Sequence, residues 1–107
     1  MTKKVVTIKF NYNIPAEKLK TIMSVAAPEY SDIPGCCWKV WLINEDHKEA
    51  GSIYLFESAT ESDQYLSSNL YALVVNNPAF SNLQTHTLGV LETAGIITGV
   101  PLTKTAV

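Results

Sequence analysis

Two neighbouring runs constrain this chain more than any other feature of it. Residues 36–44 (Cys-Cys-Trp-Lys-Val-Trp-Leu-Ile-Asn) and 50–56 (Ala-Gly-Ser-Ile-Tyr-Leu-Phe) are rich in β-branched and aromatic side chains, and polar Glu45-Asp46-His47-Lys48 lies between them. Runs of that kind suit strands, and a short polar link makes the pair a hairpin. Centring it on Asp46-His47 sets Trp41 opposite Ser52, Lys39 opposite Tyr54 and Cys37 opposite Phe56. Side chains alternate along a strand, so Trp38, Val40, Leu42, Gly51, Ile53 and Leu55 share the second face. That face is wholly apolar, so both sides of the hairpin need cover.

The rest of the chain supplies cover for one side only. Residues 5–10 alternate as a strand, with Val6, Ile8 and Phe10 on one face. Asn13-Ile14-Pro15 then opens a helix, since a proline in the first turn gives up an N–H that has no partner there anyway. Leu19, Ile22, Met23 and Ala26 give that helix an apolar face, and Pro28 is expected to end it. Ser58-Ala59-Thr60-Glu61 has the spacing of a capping box. It opens a second helix with Leu66, Leu70 and Leu73 on one stripe and Ser62, Tyr65 and Asn69 on the next, ending at Asn76-Asn77-Pro78. Residues 83–92 read as a fourth strand, and 96–102 as an extended tail. The order is βαββαβ, an α+β ferredoxin-like domain spanning 1–107 with a four-stranded antiparallel sheet.

In this arrangement both helices cover one sheet face. The chain is 47% hydrophobic and only 17% charged, and a large bare apolar face is a liability. A homodimer through Trp38, Val40, Leu42, Ile53 and Leu55 is therefore expected, each copy covering the other as a dimeric α+β barrel. The net charge is −2 with eight scattered basic residues, without the basic stripe a nucleic-acid partner requires. No apolar run is long enough for a membrane span. Met1 leads into a strand rather than a secretory signal. Adjacent Cys36 and Cys37 are poorly placed to bridge each other, which fits reduced thiols and a cytoplasmic location.

The run Gly35-Cys36-Cys37-Trp38-Lys39-Val40-Trp41, followed by Glu49-Ala50-Gly51-Ser52-Ile53-Tyr54-Leu55-Phe56 and Tyr65-Leu66, resembles the YdhR-type mono-oxygenase family of the dimeric α+β barrel superfamily. Val100-Pro101-Leu102 is similar to that family's ending. The resemblance implies a pocket between sheet and helices, lined from the Lys39, Trp41, Ser52, Tyr54 and Phe56 face. Phe56 stands where haem-degrading relatives carry a pocket tryptophan. Asn69 stands where this family and the haem degraders tend to carry a helix histidine, and asparagine cannot serve as an axial imidazole. The resemblance thus implies a mono-oxygenase without a cofactor, acting on a small aromatic molecule such as a quinol, anthrone or polycyclic phenol.

Such a reaction asks the protein for a dry, shaped pocket, an acceptor for the phenolic proton and donors for the developing oxyanion. Trp41, Tyr54 and Asn69 are the expected catalytic donors. Lys39, Ser52, Phe56, Tyr65 and His86 are the expected substrate contacts, with Lys39 facing a phenolate and His86 the imidazole left on the last strand. His47 sits at the hairpin tip. The histidines show no metal-ligand spacing, and no metal is expected. Each residue also has a plainer role. Trp41 and Phe56 suit core packing, buried tyrosines want partners whatever their task, Lys39 can snorkel to water, and His86 can be structural. Three readings stay open: the enzyme, a module that binds a small ligand without turnover, and a structural dimer whose pocket is filled by its own side chains.

Overall fold

In the computed structural model, residues 2–104 are described; Met1 and residues 105–107 of the expected domain lie outside them. The elements are β1 (Lys4–Tyr12), α1 (Ala16–Ser31), β2 (Cys36–Asn44), β3 (Glu49–Phe56), α2 (Ala59–Leu66), α3 (Asn69–Val75), β4 (Phe80–Gly89) and α4 (Glu92–Ile97). The four strands form one antiparallel sheet in the order β2-β3-β1-β4. This is the ferredoxin-like α+β topology.

The hairpin register follows the turn. Trp41 pairs with Ser52 and Lys39 with Tyr54, but Phe56 pairs with Cys36 rather than Cys37. A bulge between Cys36 and Trp38 takes up the extra residue. At β3, a Cβ on Gly51 would lie 2.1 Å from the Ile8 carbonyl oxygen, so the β1–β3 approach there admits only glycine.

Val6, Ile8, Phe10 and Tyr12 of β1 and Ala50, Tyr54 and Phe56 of β3 point under the helices and form one buried cluster with Leu19, Tyr30, Ile33 and Tyr65. Two helix boundaries and one cap differ from expectation. Pro28 lies inside α1, which runs on to Ser31. Proline removes a single helical N–H, and the next turn is held because Tyr30 extends the Leu19, Met23 and Ala26 stripe into the core. The second helix is two helices. Ser68 breaks it and caps α3, its hydroxyl accepting from Tyr71 N–H at 3.3 Å. At Ser58 the capping box is not formed to the backbone; the Ser58 hydroxyl donates to the Glu61 carboxylate instead.

The last segment also departs from expectation. β4 spans Phe80–Gly89 rather than 83–92, and Glu92–Ile97, which overlaps the end of the expected strand and the start of the expected tail, is a short helix with Glu92 in its first turn. Gly99 at φ +88° follows it, in the left-handed conformation that suits glycine after a helix. Beyond it the chain returns across the open sheet face to β2, where Trp38 Nε1 donates to the Pro101 carbonyl at 2.9 Å. Leu55 on that face is fully buried by its own chain, whereas Val40, Leu42 and Leu88 are 44%, 43% and 57% exposed. The bare apolar face is thus smaller than the sequence suggests. No helix among the described residues is long and apolar enough to cross a membrane.

Candidate functional site

Between the inner sheet face and the helices lies a cavity of about 210 Å³. β2 contributes Lys39 and Trp41, β3 contributes Ser52 and Tyr54, and α1 contributes Tyr30. The strand register carries the first four to one wall, because residues two apart on a strand share a face and paired residues share a row. Leu19, Met23, Leu70 and Phe80 close the apolar remainder.

Lys39 is the chemical centre of this wall. Its ammonium nitrogen lies 3.3 Å from the Tyr30 ring centroid, 3.4 Å from that of Trp41 and 4.7 Å from that of Tyr54. Tyr30 and Trp41 meet edge to face, 5.0 Å between centroids, and hold the two sides of the cage. Among the described residues no carboxylate forms an ion pair with Lys39. Burial strips the ammonium of water and pulls its pKa from 10.5 down to about 7. The ring faces favour the cation by about 0.5–2 kcal/mol each, which offsets part of that loss. The amine therefore changes charge in the range where proton transfer at neutral pH is useful.

Behind the cage, Tyr54 and Tyr65 share a hydrogen bond of 2.8 Å between their hydroxyls. They are 1% and 2% exposed, and burial pushes both phenols above the usual range. Either hydroxyl can be the donor of that bond, and Tyr54 is the member that lines the cavity. Phe56 is fully buried beneath, stacked 5.8 Å from Tyr54 and 5.6 Å from Tyr65. It supports the wall without lining the cavity, and so does Tyr65.

Two expected site residues lie elsewhere. Asn69 is exposed at the first position of α3 and borders a different hollow, with Asn76 and Pro78. The break at Ser68 restarts the helix and turns Asn69 away from the sheet. His86 pairs with Thr7 on the outer face and is exposed on the far side of the sheet from the cavity. Tyr30 was not anticipated, because a helix ending at Pro28 would leave it in a loop. Its signal is the 19, 23, 26, 30 spacing, which holds one apolar stripe through the proline.

The cysteines do not line this cavity; both border a neighbouring hollow that Lys39 also reaches. Cys37, at the bulge, donates to Glu57 at 2.9 Å, and Lys3 bonds the other Glu57 oxygen at 2.7 Å. Burial and that acceptor push the Cys37 thiol up to about 12. Among the described residues no cluster of His, Cys, Asp and Glu is arranged to hold a metal ion.

The fold has close structural likenesses. NE2512 from Nitrosomonas europaea superposes with a TM-score of 0.70 at 17% identity, over 85% of this chain and 91% of that one. SO0527 from Shewanella oneidensis gives 0.69 at 12% identity, over 83% and 91%. SnoaB, a cofactor-independent oxygenase from Streptomyces nogalater, gives 0.67 at 11% identity, over 84% and 94%. At such identities the likeness is one of fold. Among curated proteins none matches this sequence. The family described as "Putative mono-oxygenase ydhR" matches residues 5–101, nearly the whole chain, and the protein belongs to that family.

Proposed function

We propose that this protein is a homodimeric, cofactor-independent mono-oxygenase that oxidises a compact electron-rich phenol, quinol or anthrone in the Lys39 cavity. The observation that carries the reading is the Lys39 amine, held among Tyr30, Trp41 and Tyr54 with no anion of its own. A cation left unpaired in an apolar cavity is a natural counter-charge for a substrate anion. Family membership and the SnoaB likeness support oxygenase chemistry in this fold. The cavity, at about 210 Å³, is smaller than the roughly 300–1,000 Å³ of drug-sized pockets, which favours phenols and quinols of one or two fused rings over a three-ring anthrone.

In this mechanism neutral Lys39 accepts the acidic proton of the bound substrate and remains beside the anion as an ammonium. The anion passes one electron to O₂, and the radical pair recombines as a carbon-bound peroxide. Loss of water from the peroxide leaves a carbonyl. One oxygen atom stays in the product and the other leaves as water, and the substrate supplies all the electrons. With Tyr65 as the donor of their shared bond, the Tyr54 hydroxyl, with the Trp41 N–H, donates to the developing oxyanion. Pairing through Val40, Leu42 and Ile53 of two copies covers the apolar part of the open face that the tail leaves bare.

A second reading has its own observation. Tyr54 and Tyr65 already bond one another, and among the described residues Glu29 is the sole carboxylate lining the cavity, so the same wall suits a module that holds an aromatic ligand without turning it over. Oxygen uptake by metal-stripped protein with a panel of quinols, anthrones and catechols separates the two. The enzyme reading predicts uptake that scales with protein above autoxidation and yields a quinone. Saturable quenching of tryptophan fluorescence with no excess uptake leaves the binding module.

A further inference from the structure

The Lys39 amine is also placed for covalent chemistry. It fronts the cavity on one side and a second hollow of about 270 Å³ on the other, lined by Tyr30, Cys36, Trp38 and Lys104, so a small molecule can reach it from two directions. The titratable groups facing it are few. Tyr30 and exposed Glu29 come from α1, Cys36 and Cys37 from its own strand, Tyr54 from β3 and Lys104 from the tail. Burial raises the pKa of Tyr30, Cys36, Cys37 and Tyr54, so at neutral pH these four carry no charge to hold an ammonium in place. An amine that is readily neutral, walled by aromatic faces and open to small ligands is a nucleophile.

We infer that Lys39 is a covalent capture site for aromatic aldehydes and ketones, which it binds as an imine. The inference rests on the reading that this cavity takes an aromatic ligand. The nitrogen lone pair attacks the carbonyl carbon while the C=O π pair moves to oxygen, giving a carbinolamine. That oxygen leaves as water with the two protons the nitrogen gives up, and a C=N bond remains. No outside oxidant or reductant takes part. The ring of the carbonyl compound lies against Trp41 and Tyr30, where the aromatic cage now holds the ammonium.

The test treats the protein with benzaldehyde and cyanoborohydride at neutral pH, so that hydride fixes any imine as a benzylamine, and locates the adduct by peptide mapping. Lys39 is expected to carry roughly tenfold more adduct than any other lysine, because burial favours its neutral form. Lys39→Met and Lys39→Arg both lose this site and keep the background at the remaining lysines. Adduct spread evenly over the lysines overturns the inference. Benzyl alcohol, which cannot form an imine, reports the cavity alone. If it quenches tryptophan fluorescence while Lys39 stays unlabelled, the cavity reading stands and covalent capture is wrong. If it neither binds nor protects and Lys39 is unlabelled, both fail.

Discussion

The Lys39 ammonium nitrogen sits 3.4 Å from the centroid of the Trp41 ring, two residues further along the same strand. A strand carries residues i and i+2 on one face, so the Lys-Val-Trp spacing alone brings charge and ring together. Tyr30 closes the cage from α1 at 3.3 Å. An amine so placed is partly stripped of water and, among the described residues, forms no ion pair, so its charge state responds to the rings and to whatever occupies the cavity.

This has a consequence for stability. The Lys39 pKa falls from 10.5 to about 7 on folding, so between those values the unfolded chain binds more protons. Stability contributed by this site therefore rises with pH across that window and is constant below it, by up to about 1.4 kcal/mol per pH unit. Lys39→Met should flatten the rise, as read from urea midpoints of the two proteins through the same pH range. An equally steep rise in both contradicts a buried, partly neutral amine.

The Tyr54–Tyr65 pair makes a second prediction. Tyr54→Phe or Tyr65→Phe leaves one buried hydroxyl without its partner, at a cost of about 1–3 kcal/mol. The double variant orphans neither group and should lose less than the sum of the singles. Denaturant unfolding of the four proteins completes the cycle, and additive losses would show that the hydroxyls do not bond.

Much of this was legible beforehand, and the reasons divide by physical origin. The hairpin register follows from alternation and turn length, and with it come Lys39, Trp41, Ser52 and Tyr54 on one wall. What escaped depended on tertiary packing or on local breaks. Tyr30 stays helical past Pro28 because burying its ring outweighs one lost hydrogen bond. Asn69 faces out because Ser68 caps a new helix, a signal present in Ser67-Ser68 and overridden by the leucine stripe. His86 faces outward because its pairing with Thr7 fixes its side of the sheet, and strand order cannot be read from β4 alone. Leu55 is fully buried within its own chain, and the tail returns to Trp38 by a path no periodicity announces.

The thiols yield a third prediction. Cys36 and Cys37 are 6% and 3% exposed, and burial raises both thiols. Thiolate is the reactive form, so iodoacetamide should leave both unmodified in the folded protein at neutral pH and alkylate both in denaturant. Modification of Cys37 in the native state, seen by mass spectrometry, would contradict its bond to Glu57.

A fourth concerns the open face. If two copies pair through Val40 and Leu42, both more than two-fifths exposed in the single chain, then Val40→Lys with Leu42→Lys should give a monomer by sedimentation. The fold should survive, since neither side chain enters the core. An unchanged sedimentation coefficient would remove these residues from the interface.

Transfer of a bound phenol's proton to Lys39 is read directly in the absorbance spectrum of an electron-rich naphthol in the cavity under anaerobic conditions. At a pH below the naphthol's own pKa, binding to wild-type protein should produce the naphtholate band and binding to Lys39→Met should not. A bound naphthol that keeps its neutral spectrum in wild-type protein would contradict it.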